Sequence, residues 1–185
     1  MGTPKQLLPI GGQSLVRRAA STALASGADD VVVVIGQAAD EVEHELRGLA
    51  VRSVRNERFA EGQATSLNAA VRALSPETSA AIVVLVDQPL LTAMHVSAVI
   101  ERYRIDRPPL VLPIYSGRRG NPVLFDRTLF PELLAIEGDQ GARDVIARHW
   151  NEAALVELGD AESQRDVDTW DEYLAMKALL EREHV

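Results

Sequence analysis

The stretch Val31-Val32-Val33-Val34-Ile35-Gly36 (VVVVIG), together with Ala80 to Pro89 (AAIVVLVDQP), decides the fold of this chain. Each opens with an unbroken run of aliphatic, mostly β-branched residues, so both faces of each strand need cover. A sheet with one wet face would alternate apolar and polar residues instead. Cover on both faces means helices above and below. Two such strands in 185 residues predict a three-layer α/β/α sandwich around a mostly parallel, Rossmann-like sheet.

The flanking pattern agrees. Apolar runs at Val51 to Val54, Leu110 to Pro113 and Ala154 to Glu157 read as further strands. Helical spacing covers Ser14 to Ser26, Ala39 to Leu49, Ala64 to Leu74 and Thr92 to Tyr103, with Thr92 as N-cap. A turn-rich segment, YSGRRGNPVLF (115–125), precedes helices expected over Pro131 to Ile136, Gly141 to Trp150 and Thr169 to about Glu183. No repeat, low-complexity tract or linker divides residues 1–185, which predicts one domain.

Charge narrows the partners. The 19 Lys and Arg against 27 Asp and Glu give a formal charge of −8, which repels the phosphate backbone of nucleic acid. A small phosphorylated ligand is still compatible, provided that local positive charge or a metal ion receives it. The absence of Cys removes thiolate ligands and disulfides and fits a reducing compartment. No apolar run approaches the roughly 20 residues of a membrane span, so the expectation is a cytoplasmic protein without a membrane partner.

A doubly wound sheet normally opens with a buried strand whose following loop binds phosphate. This sequence opens with MGTPKQLLPIGGQSL (1–15), which has no strand character before its first helix. The first central strand is therefore expected to be absent from the sheet.

Several residues have the chemistry of a site, and each also has a plainer reading. Lys5, in TPKQLLPIGG (3–12), is either a solvated loop lysine or a point charge for a triphosphate. Asp87, at the carboxyl end of a buried strand and followed by Gln88 and Pro89, either punctuates the strand or holds Mg²⁺. Gly62 and Ser66, in GQATSLNAAV (62–71), either form a helix-entry turn or receive a nucleotide.

Further along, Arg118, Arg119 and Arg143 are candidates for an anionic acceptor. Asp139 and Arg143 are also spaced as an i,i+4 ion pair. Asp166 and Asp168 precede the last helix, where Asp168 could cap it, or one of the two could be a second metal-side carboxylate.

Taken in order, MGTPKQLLPIGG, GQATSLNAAV, VDQP, GNPVLF, GDQGAR and DVDTWDEY resemble the MobA-like nucleotidyltransferase family over nearly the whole chain. That family's opening signature is an apolar strand followed by LAAGxSxRMGxPKxLLPxxG. The GNPVLF, GDQGAR and DQP segments are most similar to its molybdenum cofactor cytidylyltransferase branch.

The resemblance implies a fold of the nucleotide-diphospho-sugar transferase type and Mg²⁺-dependent transfer of CMP from CTP to molybdopterin, releasing pyrophosphate. It places Lys5 and Asp87 at the reaction, with Gly62, Ser66 and Gln88 beside the nucleotide. Asn121, Asp139 and Arg143 fall on the acceptor side, and Asp87 with Asp168 on the metal. It also admits guanylyl transfer, another NTP with another phosphorylated acceptor, or an accessory protein that carries the cofactor to a molybdenum hydroxylase client. The LAAGxSxR half lies outside this sequence, so the true start is expected upstream of Met1. The sheet is expected to show a gap, two exposed strand edges or a strand borrowed from a partner.

Overall fold

The computed structural model describes residues 4–139, 141–159 and 161–182. The chain enters through a short 3-10 turn, Lys5–Leu7, and a hairpin, β1 (Pro9–Ile10) and β2 (Gln13–Ser14). Gly11 and Gly12 between them take φ +56° and +81°, values that suit a two-residue hairpin turn and that only glycine adopts cheaply. Ser14 then caps α1 (Leu15–Leu24), its Oγ accepting from the Arg17 N–H at 3.3 Å.

Next come β3 (Val32–Ile35), α2 (Ala39–Glu45), β4 (Arg52–Arg55), α3 (Gln63–Ala73), β5 (Ala80–Val83) and α4 (Ala93–Asp106). Thr92 caps α4 as expected, with its N–H donating to His95 Nδ1 at 3.1 Å. The chain continues through β6 (Leu110–Tyr115), β7 (Arg118–Arg119), β8 (Val123–Asp126), α5 (Phe130–Leu134), α6 (Arg143–Arg148) and β9 (Ala153–Glu157). It closes with α7 (Trp170–Arg182); Glu183, the expected end of that helix, lies outside the described residues.

Strand β6 is the centre of the main sheet. One edge meets β8 at its start and β7 at its end, and the other edge pairs in parallel with β9 over Leu110–Ile114. All six of its residues are buried. Alternation then sorts the side chains between two layers. Leu110 and Leu112, with Val123 and Phe125 of β8, pack against α3, α5 and α6, while Val111 and Leu124 pack against α4 through Val96, Val99, Ile100 and Tyr103. Each fully buried aliphatic side chain contributes about 1.5 to 3 kcal/mol relative to exposure.

Strand β8 lies in the segment whose sequence reads as turn-rich. It runs antiparallel between β5 and β6, so the sheet is mixed. Its residues form a strand because two apolar strands on either side leave backbone groups that only another strand can pair.

The expected gap is present. Strands β3 and β4 form a parallel pair of their own, and β5 joins the sheet of β6 and β8 without pairing to β3. Val32, Val33, Val34 and all four residues of β5 are only half-buried, where the sequence pattern called for cover on both faces. Both segments nonetheless belong to one interior, since Val33 and Val86 pack on the same cluster of Val16, Ala20, Ile35, Val42 and Leu46.

The unpaired edge also explains why β5 ends at Val83 rather than at Val86. Its partner β8 begins at Val123, the preceding Pro122 has no N–H to extend the ladder, and no strand lies on the other side. Leu85 is left 37% exposed. None of the described helices is long and apolar enough to cross a membrane.

Native-state hydrogen exchange is expected to reflect this gradient. The amides of Val111, Leu112 and Ile114 should exchange only near global unfolding, and those of Val84, Leu85 and Val86 orders of magnitude faster. Similar protection of both groups would show that the segment after β5 is paired.

Candidate functional site

Three carboxylates and one ammonium meet just past the end of β5. Lys5 Nζ donates to Asp87 Oδ2 and to Asp168 Oδ1, both at 2.8 Å. The side chains are 31%, 22% and 64% exposed, so the cluster is open to water on the Asp168 side. Ion pairs this accessible add only about 0 to 1 kcal/mol to stability. The significance of the cluster is its charge rather than its contribution to folding.

Asp87 reaches this position because the turn after Val86 is held from outside: the Val167 N–H donates to the Asp87 carbonyl at 2.9 Å. Residues 165–168 pass it outside any helix or sheet, entering with extended backbone at Arg165. An extended segment alternates its side chains. Val167 is fully buried among Leu8, Ile10 and Leu15, and the flanking Asp166 and Asp168 turn to the site. Asp166 Oδ1 accepts from Gln88 Nε2 at 2.9 Å, and Gln88 is itself buried. The Gln88 amide is thereby committed to positioning Asp166.

The bland reading of Asp168 as helix cap does not hold. Thr169 takes that role: its Oγ1 accepts from the Glu172 N–H at 3.2 Å, and Glu172 Oε2 accepts from the Thr169 N–H at 2.8 Å. This leaves the Asp168 carboxylate to Lys5.

Electrostatics follow from the crowding. Burial pushes the Asp166 carboxyl up, the Gln88 hydrogen bond opposes this, and the charges of Asp87 and Asp168 push it up further. Burial lowers the Lys5 ammonium, but its hydrogen bonds to Asp168 and Asp87 outweigh this, so its pKa is raised and it stays charged. With all groups ionised, three carboxylates face one ammonium, an excess of negative charge that attracts a cation. Asp87 Oδ1 is buried and has no hydrogen-bond partner among the described residues.

Asp87 and Asp168 therefore fit a divalent metal ion. No three His, Asp or Glu side chains among the described residues form a complete cage, and Mg²⁺ needs none, because it takes one or two carboxylates and fills its shell with water and phosphate oxygens.

A second group lies at the start of α3. Gly62 has φ +116°, and a Cβ there would sit 2.5 Å from the Gly138 carbonyl oxygen. That carbonyl accepts from the Ala64 N–H at 3.1 Å, and Asp139 Oδ1 accepts from the Gln63 N–H at 3.2 Å. The GDQGAR loop thus caps α3 from a distance. Asp139 is used in that cap, so the i,i+4 pair with Arg143 does not form, and Arg143 has no ion-pair partner among the described residues. Ser66 Oγ accepts from the buried Asn56 Nδ2 at 3.0 Å.

Asn121 is clamped through its backbone, its N–H donating to Gln164 Oε1 at 2.6 Å and its carbonyl accepting from Gln164 Nε2 at 2.8 Å. Strands β5 and β6 both run antiparallel to β8, so their carboxyl ends, which lead to Asp87 and to Arg118 to Asn121, lie at the same end of the sheet.

A family model described as the MobA-like NTP transferase domain matches residues 1–154. The chain belongs to that family. This MobA-like chain is 32% identical to nicotine blue oxidoreductase of Paenarthrobacter nicotinovorans, over 90% of its own length and 84% of that protein's. The crystal structure of an Rv0371c homolog from Mycobacterium sp. strain JC1 superposes with a TM-score of 0.86 at 29% identity, covering 99% of this chain and 91% of that one. Rv0371c from Mycobacterium tuberculosis H37Rv in complex with manganese gives 0.80 at 24% identity, over 96% and 93%. The MobA-like fold is thus shared along nearly the full chain.

Two contributors were not assigned from the MobA-like motifs. Asp166 was one of two adjacent candidates, and only the capping role of Thr169 separates their duties. Gln164 gave no signal, since it acts on a backbone 43 residues away.

Gly62→Ala is expected to lower stability by about 1 to 3 kcal/mol, because the substitution adds both a disfavoured φ and a clash with backbone. Chemical denaturation tests this. A change below about 0.5 kcal/mol would mean that the loop at Gly138 yields freely.

Proposed function

We propose that this chain transfers a nucleotidyl group from an NTP to the terminal phosphate of a small acceptor, releasing pyrophosphate, with CTP as donor and molybdopterin as acceptor. The observation that carries the reading is Lys5 shared between Asp87 and Asp168 at the carboxyl end of the sheet. Family membership supports nucleotidyl transfer, and the GNPVLF, GDQGAR and DQP segments favour the cytidylyl and pterin choices. The absence of Cys fits a cytoplasmic setting.

Asp87 and Asp168 would hold Mg²⁺, which when bound supplies positive charge to the phosphates. The manganese in the Rv0371c complex supports a divalent ion at such a fold. Lys5, an ammonium on a flexible stem, is able to turn from the carboxylates to phosphate oxygens, where it would stabilise charge developing on the leaving pyrophosphate. Gln88 holds Asp166, the third carboxylate, through its amide. The nucleotide would lie at the start of α3, where Gly62 lets the Gly138 backbone close against the helix entry and Ser66 lies in the first turn. Asn121, Asp139 and Arg143 form the acceptor side, and a molybdenum hydroxylase is the client the product suits.

The test is pyrophosphate release from CTP, GTP and UTP with molybdopterin and Mg²⁺. CTP should be turned over fastest, Asp87→Asn should lower the rate at least about 100-fold, and Lys5→Ala about 10- to 100-fold. Preference for GTP would convert the reading to guanylyl transfer. Molybdopterin binding without any pyrophosphate release would favour the accessory carrier. Turnover of nicotine blue would instead move the chain to the activity in its relative's name. An Asp87→Asn variant at full rate would remove the proposal altogether.

A further inference from the structure

We infer that β9 pairs edge to edge with β9 of a second copy of this chain, antiparallel about a two-fold axis at Leu155. Strand β9 is bonded to β6 on one side only. The Leu158 N–H donates to the Ile114 carbonyl at 2.9 Å, so alternation turns the backbone groups of Ala154 and Val156 toward β6 and those of Ala153, Leu155 and Glu157 the other way. The Ala153 N–H donates to the Trp150 carbonyl, in the turn before the strand. The other outward groups, the Ala153 carbonyl and both groups of Leu155 and of Glu157, make no hydrogen bond among the described residues.

An open edge is a template for another strand, and folded proteins block theirs with charge, proline, brevity or cover. Such devices are visible elsewhere in this chain. The outer edge of β4 carries Arg52 and Arg55, each tied to acidic side chains. Strand β7 is two residues long, both arginine. The unpaired edges of β3 and β5 border the gap, beside segments that pack on one apolar cluster. Strand β9 is five residues long, contains no Lys, Arg or Pro, and leaves Leu155 50% exposed at its centre.

The occupant follows from the pattern along this edge. Antiparallel pairing about Leu155 sets Leu155 against Leu155, and Glu157 against Ala153, of the second copy. An apolar pair then forms the centre, and the one charged side chain of the strand meets a methyl group instead of another carboxylate. The same register lets Leu155 exchange both backbone hydrogen bonds with its counterpart and lets each Glu157 N–H donate to an Ala153 carbonyl, leaving the committed Ala153 N–H out of the ladder. Sliding one strand by two residues faces Leu155 with Glu157 or carries Glu157 into the turn before β9. An edge that complements itself in this way meets the requirement of a two-fold interface.

The axis reverses strand direction in the second copy, so the two Asp87 sites lie toward opposite ends of the joined sheet. The inference therefore stands apart from the transferase reading. The formal charge of −8 makes two copies repel, so pairing should strengthen as salt screens that repulsion.

The test is analytical ultracentrifugation over a concentration series, together with disulfide capture. The chain has no Cys, so a disulfide forms only between introduced thiols. Leu155→Cys should cross-link to a dimer under mild oxidation, because residues paired in this way have Cα atoms about 5.5 Å apart, inside the disulfide range. A mixture of Ala153→Cys and Glu157→Cys should cross-link between the two variants faster than either does alone. The unsubstituted chain should sediment as a monomer–dimer equilibrium that tightens with salt. Leu155→Lys, which sets like charges opposite each other, should weaken it at least about tenfold. Leu155→Ile should retain it, which separates the edge contact from damage to the fold. No cross-link in Leu155→Cys, a chain that stays monomeric throughout, or a dimer that Leu155→Lys leaves unchanged would each overturn the inference. A dimer of the expected kind in a chain that releases no pyrophosphate would keep the interface and reject the transferase reading. Pyrophosphate release by a strictly monomeric chain would do the reverse.

Discussion

A strand covered by helices on both faces can satisfy its backbone only through a neighbouring strand. In this chain β6 meets the condition on both edges and is buried throughout, with β8, β7 and β9 arranged around it. Strands β3 and β5 meet it on one edge each. Burial follows pairing, not hydrophobicity: the valine-rich β3 is less buried than β6, which contains a proline and a tyrosine. The segments beside the open edges share one apolar cluster, on which Val33 and Val86 both pack.

The same constraint sets the position of the chemistry. Because the ladder of β5 stops at Val83, Asp87 is four residues beyond the last paired residue and needs another anchor. The segment 164–168 provides it. Val167 is buried and its N–H holds the Asp87 backbone, while Gln164, Asp166 and Asp168 reach Asn121, Gln88 and Lys5 respectively. One short stretch near the end of the chain, beginning in the 3-10 turn Glu162–Gln164, therefore connects the entry turn, the central sheet and the hairpin after β6. A polar constellation drawn from five parts of the sequence is held by alternation along a few residues.

Much of this was legible in the sequence, for identifiable reasons. The runs at Val31 and Ala80 fixed the layers because doubly apolar strands admit few architectures, and Asp87 was recognisable as the first charge after such a run. Strand β8 was not legible, because Val123 to Phe125 is short and flanked by turn residues, and its partners 40 residues upstream and a dozen upstream decide its state. The role of Asp139 was hidden for a similar reason. Local spacing favours Arg143, but the bare N–H groups at the start of α3, 76 residues away, are the stronger claim on a carboxylate that loop geometry brings to them. For Asp168 the sequence left two duties open, cap or metal-side carboxylate, because Thr169 next to it has equal capping chemistry and, with Glu172 three residues on, completes a reciprocal box.

Positive charge is scarce on this acidic chain, and the two places where it matters use it differently. Lys5 is balanced by carboxylates that hold it until something else neutralises them, which on the proposed reading frees it for a phosphate. Arg143 has no ion-pair partner among the described residues, because Asp139 is bound to the Gln63 N–H instead. A lysine suits the first place because its ammonium is a mobile point charge that can change partners.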